Sequence, residues 1–299
     1  MRKPIILLLV ALGFGGAGCT PPAPKPAPEI MVTVTGVVTD QADKPVAHAR
    51  IVVDGKSAGE TSDTGAYVVR HAPTAERLPV NFSAPGYVAT TRVLLLPKTG
   101  ERGASPTVLL ARARPSIIDA DRGGQMRFPG GTLSAPAGAF VDGSGARVHG
   151  PVNVSVTPFD VADAGGMRAA PGDFRALGPD RKEIRLHSFG MFDIAVTDAQ
   201  GHDLALAPGV SLPFTLRAPK RVGDRAPIRS GLYWLDPATG YWINTGVINQ
   251  VEPLVYSGTV TRVGYSWNVD DPTTVTCITV KVVRIDPISQ MPSSEPPSP

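Results

Sequence analysis

The chain of 299 residues is long enough for two domains of ordinary size, and its 32 glycines and 31 prolines favour strands joined by many turns. The formal net charge is +3, of which Arg2 and Lys3 account for two, and no basic stripe follows, which argues against nucleic acid as a partner. Two cysteines exclude a disulfide framework.

The amino-terminal segment predicts a cleaved leader. Two basic residues precede about ten apolar residues, fewer than the roughly 20 that span a bilayer, and small residues then lead to Cys19. This pattern resembles the signal peptide of bacterial lipoproteins, here residues 1–18, although Gly16 stands where leucine is usual. The resemblance implies that Cys19 becomes the lipidated amino terminus. An ordinary secretory signal with an incidental cysteine is the alternative.

A proline-rich linker, residues 19–30, follows the leader. Its central run, PPAPKPAPE, favours polyproline II at about 3.1 Å per residue and would form a spacer on the order of 30 Å. A disordered tether would serve nearly the same purpose. The resemblance to lipoproteins implies a lipid anchor in the bacterial cell envelope. Thr20, in place of the Asp that some bacteria use for inner-membrane retention, favours the outer membrane.

Residues 31–112 predict a small antiparallel β-sandwich. Strand-sized runs recur about every ten residues, and Asp54-Gly55 and Pro85-Gly86 supply turns. The blocks GVVTD, KPVAHARIVVDG, TSDTGAYVV and VNFSAPGYV occur in the order of the carboxypeptidase regulatory-like domain, and the segment resembles that family. The resemblance implies a seven-stranded, transthyretin-like accessory module, and the family name does not imply peptidase activity here.

Residues 116–283 predict a second antiparallel β-sandwich region. The segment PVNVSVTPF (151–159) alternates as a strand, and residues 187–219 predict three strands with turns between them. Residues 167–183 have weak patterning and predict a long loop. The strand at 275–283, which contains Cys277, either closes this domain or forms an edge able to accept a partner strand.

Several blocks of this second region occur in a familiar order. They include GTLSAPAGAFVDGSG, PVNVSVTPFD, SFGMFDIAVTDAQGHDLALAPG and LYWLDPATGYW. Residues 125–272 resemble the cartilage intermediate layer protein family and a group of bacterial surface proteins, and the first part is similar to the β-sandwich of ankyrins and netrin receptors. The predicted fold is therefore all-β, with two tandem antiparallel β-sandwich domains and a disordered tail at 284–299.

Related sandwiches carry a His-Phe-Ser tripeptide that self-cleaves, in a block similar to GTVTHFSxWN. Here residues 258–268 read GTVTRVGYSWN, so Arg262 stands where the histidine would be and Ser266 has no base beside it in the sequence. A guanidinium is always protonated and cannot accept the proton. We therefore expect no autoproteolysis, and the HSF at 187–189 has the wrong order to replace the motif.

No pattern indicates a catalytic residue, a metal or a cofactor. The five histidines form no HxxH or HExxH pair, and we expect each to lie on the surface or in the core. The acidic pairs at 119–121 and 270–271 lack EF-hand spacing and fit turn capping better than calcium binding.

The aromatic residues of the second region are the candidate binding residues. LYWLDPATGYWIN predicts a hairpin with two aromatic residues on each side of its turn. Adjacent strand residues point to opposite faces, so we expect one aromatic residue of each pair in the core, although alternation does not define which one. We expect Trp234 and Trp242 to be the buried residues, with Tyr233 and Tyr241 on the wetter face. Together with Trp267 they could instead form a platform for a sugar or an anchor for a protein.

Three functions fit the sequence. The favoured one is a non-enzymatic envelope lipoprotein, held on the membrane by its anchor, that acts as a structural or binding module for adhesion or scaffolding, with a protein or glycan of the envelope as partner. The first alternative is a carbohydrate-binding module that uses the aromatic cluster. The second is an enzyme with an unrecognised hydrolytic site, which would need acid and base groups to converge in a pocket.

Overall fold

The computed structural model describes residues 31–71, 77–95, 102–104, 106–178, 180–223 and 226–273. Nearly all of its regular structure is β-strand, which confirms the predicted all-β class. The predictions for the leader, Cys19, the linker, the strand at 275–283 and the tail lie outside the described residues. Within the described residues no helix has the length and apolar character needed to cross a bilayer.

The first sandwich consists of two sheets formed by residues 32–109. One sheet has β1 at its centre between β4 and the β7 and β8 segments, and the other has the order β3-β2-β5-β6. Alternating valines of β1, such as Val32 and Val34, point into the core, where Tyr67 meets Phe82. The strands are β1 (Val32–Asp40), β2 (Arg50–Val53), β3 (Lys56–Glu60), β4 (Ala66–His71), β5 (Arg77–Ser83), β6 (Thr90–Leu95), β7 (Arg102–Ala104) and β8 (Thr107–Leu109).

This sandwich departs from the purely antiparallel prediction at one place. The segments β7 and β8 both pair with β1 in parallel, at successive positions along it. Together they extend the sheet on the side of β1 that faces away from β4.

The second sandwich is an eleven-stranded sheet that curls around an apolar core. Its main path runs β10-β11-β17-β20-β19-β18-β21-β15-β13-β9, and the eleventh strand, β14, pairs with β15 and β19 beside this path. Strand β10 lies against β9 and β13. Its elements are β9 (Ser116–Asp119), β10 (Gly124–Phe128), β11 (Gly131–Ala135), β12 (Phe140–Val141), β13 (Pro151–Phe159), α1 (Ala164–Ala169), β14 (Arg175–Leu177), β15 (Glu183–Thr197), β16 (Ala205–Leu206), β17 (Leu212–Arg217), α2 (Lys220–Gly223), β18 (Arg229–Leu235), β19 (Trp242–Glu252), β20 (Val255–Val260) and β21 (Tyr265–Thr273).

The prediction of a long loop at 167–183 was wrong. The segment contains the end of α1, whose amino terminus is capped where Gly166 donates its N–H to Asp163 at 3.1 Å, and the short strand β14, which pairs with β15. A helix of two turns and a strand of three residues are too short to leave a periodic pattern in the sequence. The strands and turns predicted over 187–219 are confirmed.

The central strands of the second sandwich are buried on both faces. Along β13, Val152, Val154 and Val156 point into the sandwich core, yet Ser155 and Thr157 on the opposite face are buried as well. A further apolar cluster covers that opposite face and joins the two sandwiches. Its members are Val88, Val108 and Leu110 of the first sandwich and Phe159, Ala169, Ala170, Ala176, Leu186, Met191, Tyr233, Leu235 and Trp242 of the second.

The β18–β19 hairpin makes the polar part of this joint. In the turn of this hairpin, the Pro237 carbonyl accepts a hydrogen bond of 3.0 Å from the Asn81 side chain. The Arg77 guanidinium stacks 4.1 Å from the ring centre of Tyr241 and forms two hydrogen bonds with Asp173, at 2.7 and 3.2 Å. The hairpin that the sequence predicts is therefore the element that docks on the first sandwich.

A second arginine crosses the joint at the end of α1. Arg92 of β6 donates hydrogen bonds of 2.6 Å to the backbone carbonyls of Arg168 and Ala170. These carbonyls belong to the last turn of the helix, where a cation is favoured. Burial lowers the pKa of Arg92 to about 10, so the side chain remains charged at neutral pH.

We predict that Gly240→Ala loosens the joint. Gly240 has φ +70°, and a Cβ there would lie 2.4 Å from Val93 Cγ2 across the interface. Gly209→Ala is the matched control, because Gly209 has φ +77° and open space around the added methyl. Both variants lose about 1–2 kcal/mol from the backbone conformation, and Gly240→Ala should lose about 1 kcal/mol more in denaturant unfolding. Equal losses would mean that the interface is not tightly packed at this point.

Candidate functional site

A cleft of about 380 Å³ lies at the joint, beside the docked hairpin. Strands β2, β5 and β6 form one wall, while the hairpin turn and the adjoining parts of β15 and β21 form the other. Most of the lining surface is apolar, which is usual for small-molecule sites of this size. The lining residues are Val52, Gly55, Asn81, Phe82, Ser83, Ala89, Thr90 and Thr91 from the first sandwich, and Asp193, Leu235, Pro237, Ala238, Gly264, Tyr265 and Ser266 from the second.

Asp193 is the buried carboxyl group of the cleft. It is 6% exposed, and it faces Ser266 directly in the antiparallel pairing of β15 with β21. The Ser266 hydroxyl donates a hydrogen bond of 3.2 Å to Asp193 Oδ2. Burial raises the pKa of Asp193 to about 6, while the nearby Arg112 and the Ser266 hydroxyl lower it. The carboxyl group is therefore mostly ionised at neutral pH in an apolar setting.

Thr90 and Thr91 lie in the lining but point to opposite faces of β6. The Thr91 hydroxyl donates to Asn81 Oδ1 at 2.6 Å, and Asn81 in turn reaches the hairpin turn at Pro237. Thr90 is 4% exposed and pairs with Phe82 of the first core, so its hydroxyl is buried away from the cleft.

The same sheet face carries a second buried polar group farther along β21. Ser266, Asn268 and Asp270 alternate with Trp267 and Val269, which point into the sandwich core. Neither carboxyl oxygen of Asp270 has a hydrogen-bond partner among the described residues. Burial raises the pKa of Asp270 well above its usual value, although the nearby Ser188 and Asn268 oppose that effect.

The two acidic pairs noted in the sequence have different roles. Turn capping is confirmed at 119–121, where Asp119 Oδ1 accepts the Asp121 N–H at 2.8 Å. It was wrong at 270–271, which lies within β21. The described residues contain no group of three or more His, Cys, Asp or Glu able to hold a metal ion.

The sequence pattern missed Asp193 and misjudged the surroundings of Ser266. A serine without a base beside it in the sequence has a carboxylate across the strand pair. The histidines lie away from the cleft lining, and four of them contact surface carboxylates: His48, His71, His149 and His202. A cross-strand partner depends on register, which a local pattern does not define.

The five aromatic candidates lie in three different environments. Trp242 and Trp267 are fully buried, so the core prediction is confirmed for Trp242. Tyr241 is half-buried beneath Arg77. The expectation that Trp234 is buried and Tyr233 is on the wetter face was wrong. Tyr233 is 3% exposed, whereas Trp234 is half-buried. The first sandwich covers the sheet face on which Tyr233 lies, and this reverses the expected wet and dry sides.

Trp234 belongs to a small surface stack. The Arg262 guanidinium lies 3.9 Å from the centre of its ring, and Tyr265 meets it edge-on at 5.1 Å. The Trp267 indole N–H donates to the Arg262 carbonyl at 3.2 Å. Arg262, which replaces the histidine of the self-cleaving block, therefore covers a tryptophan and does not contact the serine hydroxyl.

Comparison with known proteins shows sequence similarity over most of the chain. No family model matches. The chain is 30% identical over 227 residues to cartilage intermediate layer protein 2 of Mus musculus, which covers 70% of this chain and 19% of that protein. It is 27% identical over 217 residues to the Homo sapiens protein, with shares of 69% and 18%. The chain therefore spans about a fifth of the length of these curated relatives.

These matches bear on the resemblances seen in the sequence. The resemblance to the cartilage intermediate layer protein family is confirmed as sequence similarity. The aligned region covers more of the chain than residues 125–272, the segment in which the resemblance was seen, which are about half of it. The resemblance of residues 31–112 to the carboxypeptidase regulatory-like domain stays a prediction.

Solved structures give weaker matches. A variant of BcpA, the major pilin subunit of Bacillus cereus, has 11% identity and a TM-score of 0.25, covering 87% of this chain and 97% of that one. The Bacillus anthracis TIE protein has 11% identity and a TM-score of 0.24, with shares of 82% and 45%. Scores at this level carry no inference about this chain.

We predict that the two hairpin tryptophans differ in their effect on stability. Trp242→Ala should lower the free energy of unfolding by about 3–5 kcal/mol, because it empties a fully buried position at the joint. Trp234→Ala should lower it by about 1 kcal/mol, mainly through the lost contact with Arg262. Denaturant unfolding of both variants measures the difference. Similar small losses would contradict the placement of Trp242 in the core.

We predict that Asp193→Asn stabilises the protein only at higher pH. The raised pKa of Asp193 means that the folded state binds its proton more tightly than the unfolded state, so this group favours folding less as pH rises from about 4 through about 6. Asparagine removes that penalty. Relative to wild type, the variant should gain about 2–3 kcal/mol at pH 8 and almost nothing at pH 4. A difference that is independent of pH would show that Asp193 has an ordinary pKa.

Proposed function

We propose that this chain is a lipid-anchored, non-enzymatic binding protein of the bacterial cell envelope, with the cleft between its sandwiches as the binding site. The observation that carries the proposal is the cleft itself, where the Asp193 carboxyl group meets a mostly apolar lining. Few convergent polar groups in an apolar cavity are typical of ligand sites. The docked hairpin supplies one wall, so the two sandwiches together form a site that neither contains alone.

A hydrolytic function has less support. Ser266 is 5% exposed, and its hydroxyl donates to a carboxylate whose pKa of about 6 makes it a weak base for a serine. We therefore assign Asp193 and Ser266 to binding.

A filled cleft tests the binding proposal. Ala238 is an exposed residue of the lining, and Ala238→Trp should occupy the space that a ligand needs. Ala146→Trp is the matched control, because Ala146 is exposed in a turn outside the lining. The neutral fluorescent probe prodan should bind wild type and the control with similar affinity, and at least tenfold more weakly to Ala238→Trp. Equal binding to all three proteins would contradict a ligand site in the cleft.

The anchor is proposed from the leader pattern and the proline-rich linker that follows it. Membrane attachment through one acyl chain is marginal, whereas an amino-terminal cysteine of the lipoprotein type carries several. We propose the outer membrane as the location, because Thr20 follows the cysteine in place of Asp.

We predict that Cys19 is the site of lipidation. Radiolabelled palmitate supplied to a bacterial host should enter the wild-type protein and be absent from Cys19→Ser. A control is Cys277→Ser, which removes the other cysteine and should leave the labelling unchanged. Equal labelling of wild type and Cys19→Ser would overturn the proposed anchor.

A carbohydrate-binding module is the second candidate, and the half-buried Trp234 beside Tyr265 is the observation that favours it. Arg262 covers the Trp234 ring, so a sugar could stack there only if the guanidinium moves away. Glycan capture by wild type that Trp234→Ala abolishes would place this candidate first. Capture that survives in Trp234→Ala would remove the aromatic platform from consideration.

A further inference from the structure

The cleft lining contains one carboxyl group, that of Asp193. The other polar side chains of the lining are uncharged hydroxyl, amide and phenol groups, such as those of Ser266, Asn81 and Tyr265. No lysine, arginine or histidine belongs to the described lining. A site with this composition repels carboxylates and phosphates and favours a ligand that carries positive charge.

The charge of Asp193 is only partly compensated within the protein. The Ser266 hydroxyl donates one hydrogen bond to it, and Arg112, which stands outside the lining, acts on it electrostatically. A buried carboxylate is costly unless it is paired and hydrogen-bonded. A cationic group placed in the cleft would add the counter-charge from the open side.

The rest of the cleft is suited to hydrocarbon. Val52, Ala89 and Pro237 lie in its lining with part of their apolar surface exposed, and the volume of about 380 Å³ is enough for a bicyclic molecule. Asp193, on the wall opposite Val52, is the charged group among them. The polar and apolar groups together describe a compact amphipathic cation.

We propose that the cleft binds apolar organic amines, with the ligand ammonium on the Asp193 carboxylate and its hydrocarbon part against the apolar lining. This inference rests on the proposed function of the cleft as a binding site. It names the class of ligand and excludes anions of the same shape.

Three ligands of nearly equal shape test the proposal. Isothermal titration calorimetry at pH 7.5 would compare 1-naphthylmethylamine, the neutral 1-naphthalenemethanol and the anionic 1-naphthoate. The amine should bind wild type at least tenfold more tightly than the alcohol, and the carboxylate should bind most weakly. Asp193→Asn should remove the preference for the amine while keeping the affinity for the alcohol. Glu252→Gln, which removes an exposed carboxylate outside the cleft, should leave the preference intact.

A second measurement keeps the test independent of the folding of Asp193→Asn. Denaturant unfolding at pH 7.5 should show that this variant is at least as stable as wild type, so a lost preference for the amine reports on the removed charge. An amine affinity unchanged in Asp193→Asn would overturn the proposal. Equal binding of amine and alcohol to wild type, lost in Ala238→Trp, would overturn the amine preference and leave the binding function standing. If Ala238→Trp binds all ligands like wild type, the binding function itself fails.

Discussion

The docking of the β18–β19 hairpin on the first sandwich is the contact on which the rest of the structure depends. It combines a cation–π stack of Arg77 on Tyr241 with a turn carbonyl held by Asn81. Arg77 also pairs with Asp173, which lies between α1 and β14. The apolar cluster around Trp242 includes Val88, Val108 and Leu110 of the first sandwich. The docking also creates the cleft, since the hairpin turn is one of its walls. Architecture and candidate site therefore have the same physical origin.

The face of the second sandwich that the first sandwich covers carries a row of buried polar residues, which an ordinary apolar core would not contain. Asp193, Ser188, Ser266, Asn268 and Asp270 are all buried on it. Replacing such groups with apolar residues is often neutral or stabilising, so stability alone does not explain them. Asp193 and Ser266 border the cleft, where a carboxylate and a hydroxyl have a use in binding. Asp270 does not reach the cleft lining, and the structure gives no account of its presence.

The sequence predicts the local elements well and the relations between them poorly. The strand at 32–40, the strand at 151–159 and the hairpin around its DPATG turn are present as predicted, because alternation and turn residues are local signals. Alternation also separates the two faces of β18, but it does not say which face another domain covers. Tyr233 and Trp234 were reversed for that reason. Asp193 was missed because its partner Ser266 is distant in sequence and adjacent only through strand register.

The most direct test of this account is whether the two sandwiches unfold together. All three tryptophans lie in the second sandwich, so their fluorescence reports on it alone, while amide hydrogen exchange in β5 and β6 reports on the first. In a denaturant titration of the purified protein, the account predicts coincident transitions with the same midpoint and slope. Trp242→Ala, which opens the joint, should lower both midpoints together. Separate transitions, with the first sandwich unaffected by Trp242→Ala, would contradict the hairpin as the contact that unites the molecule.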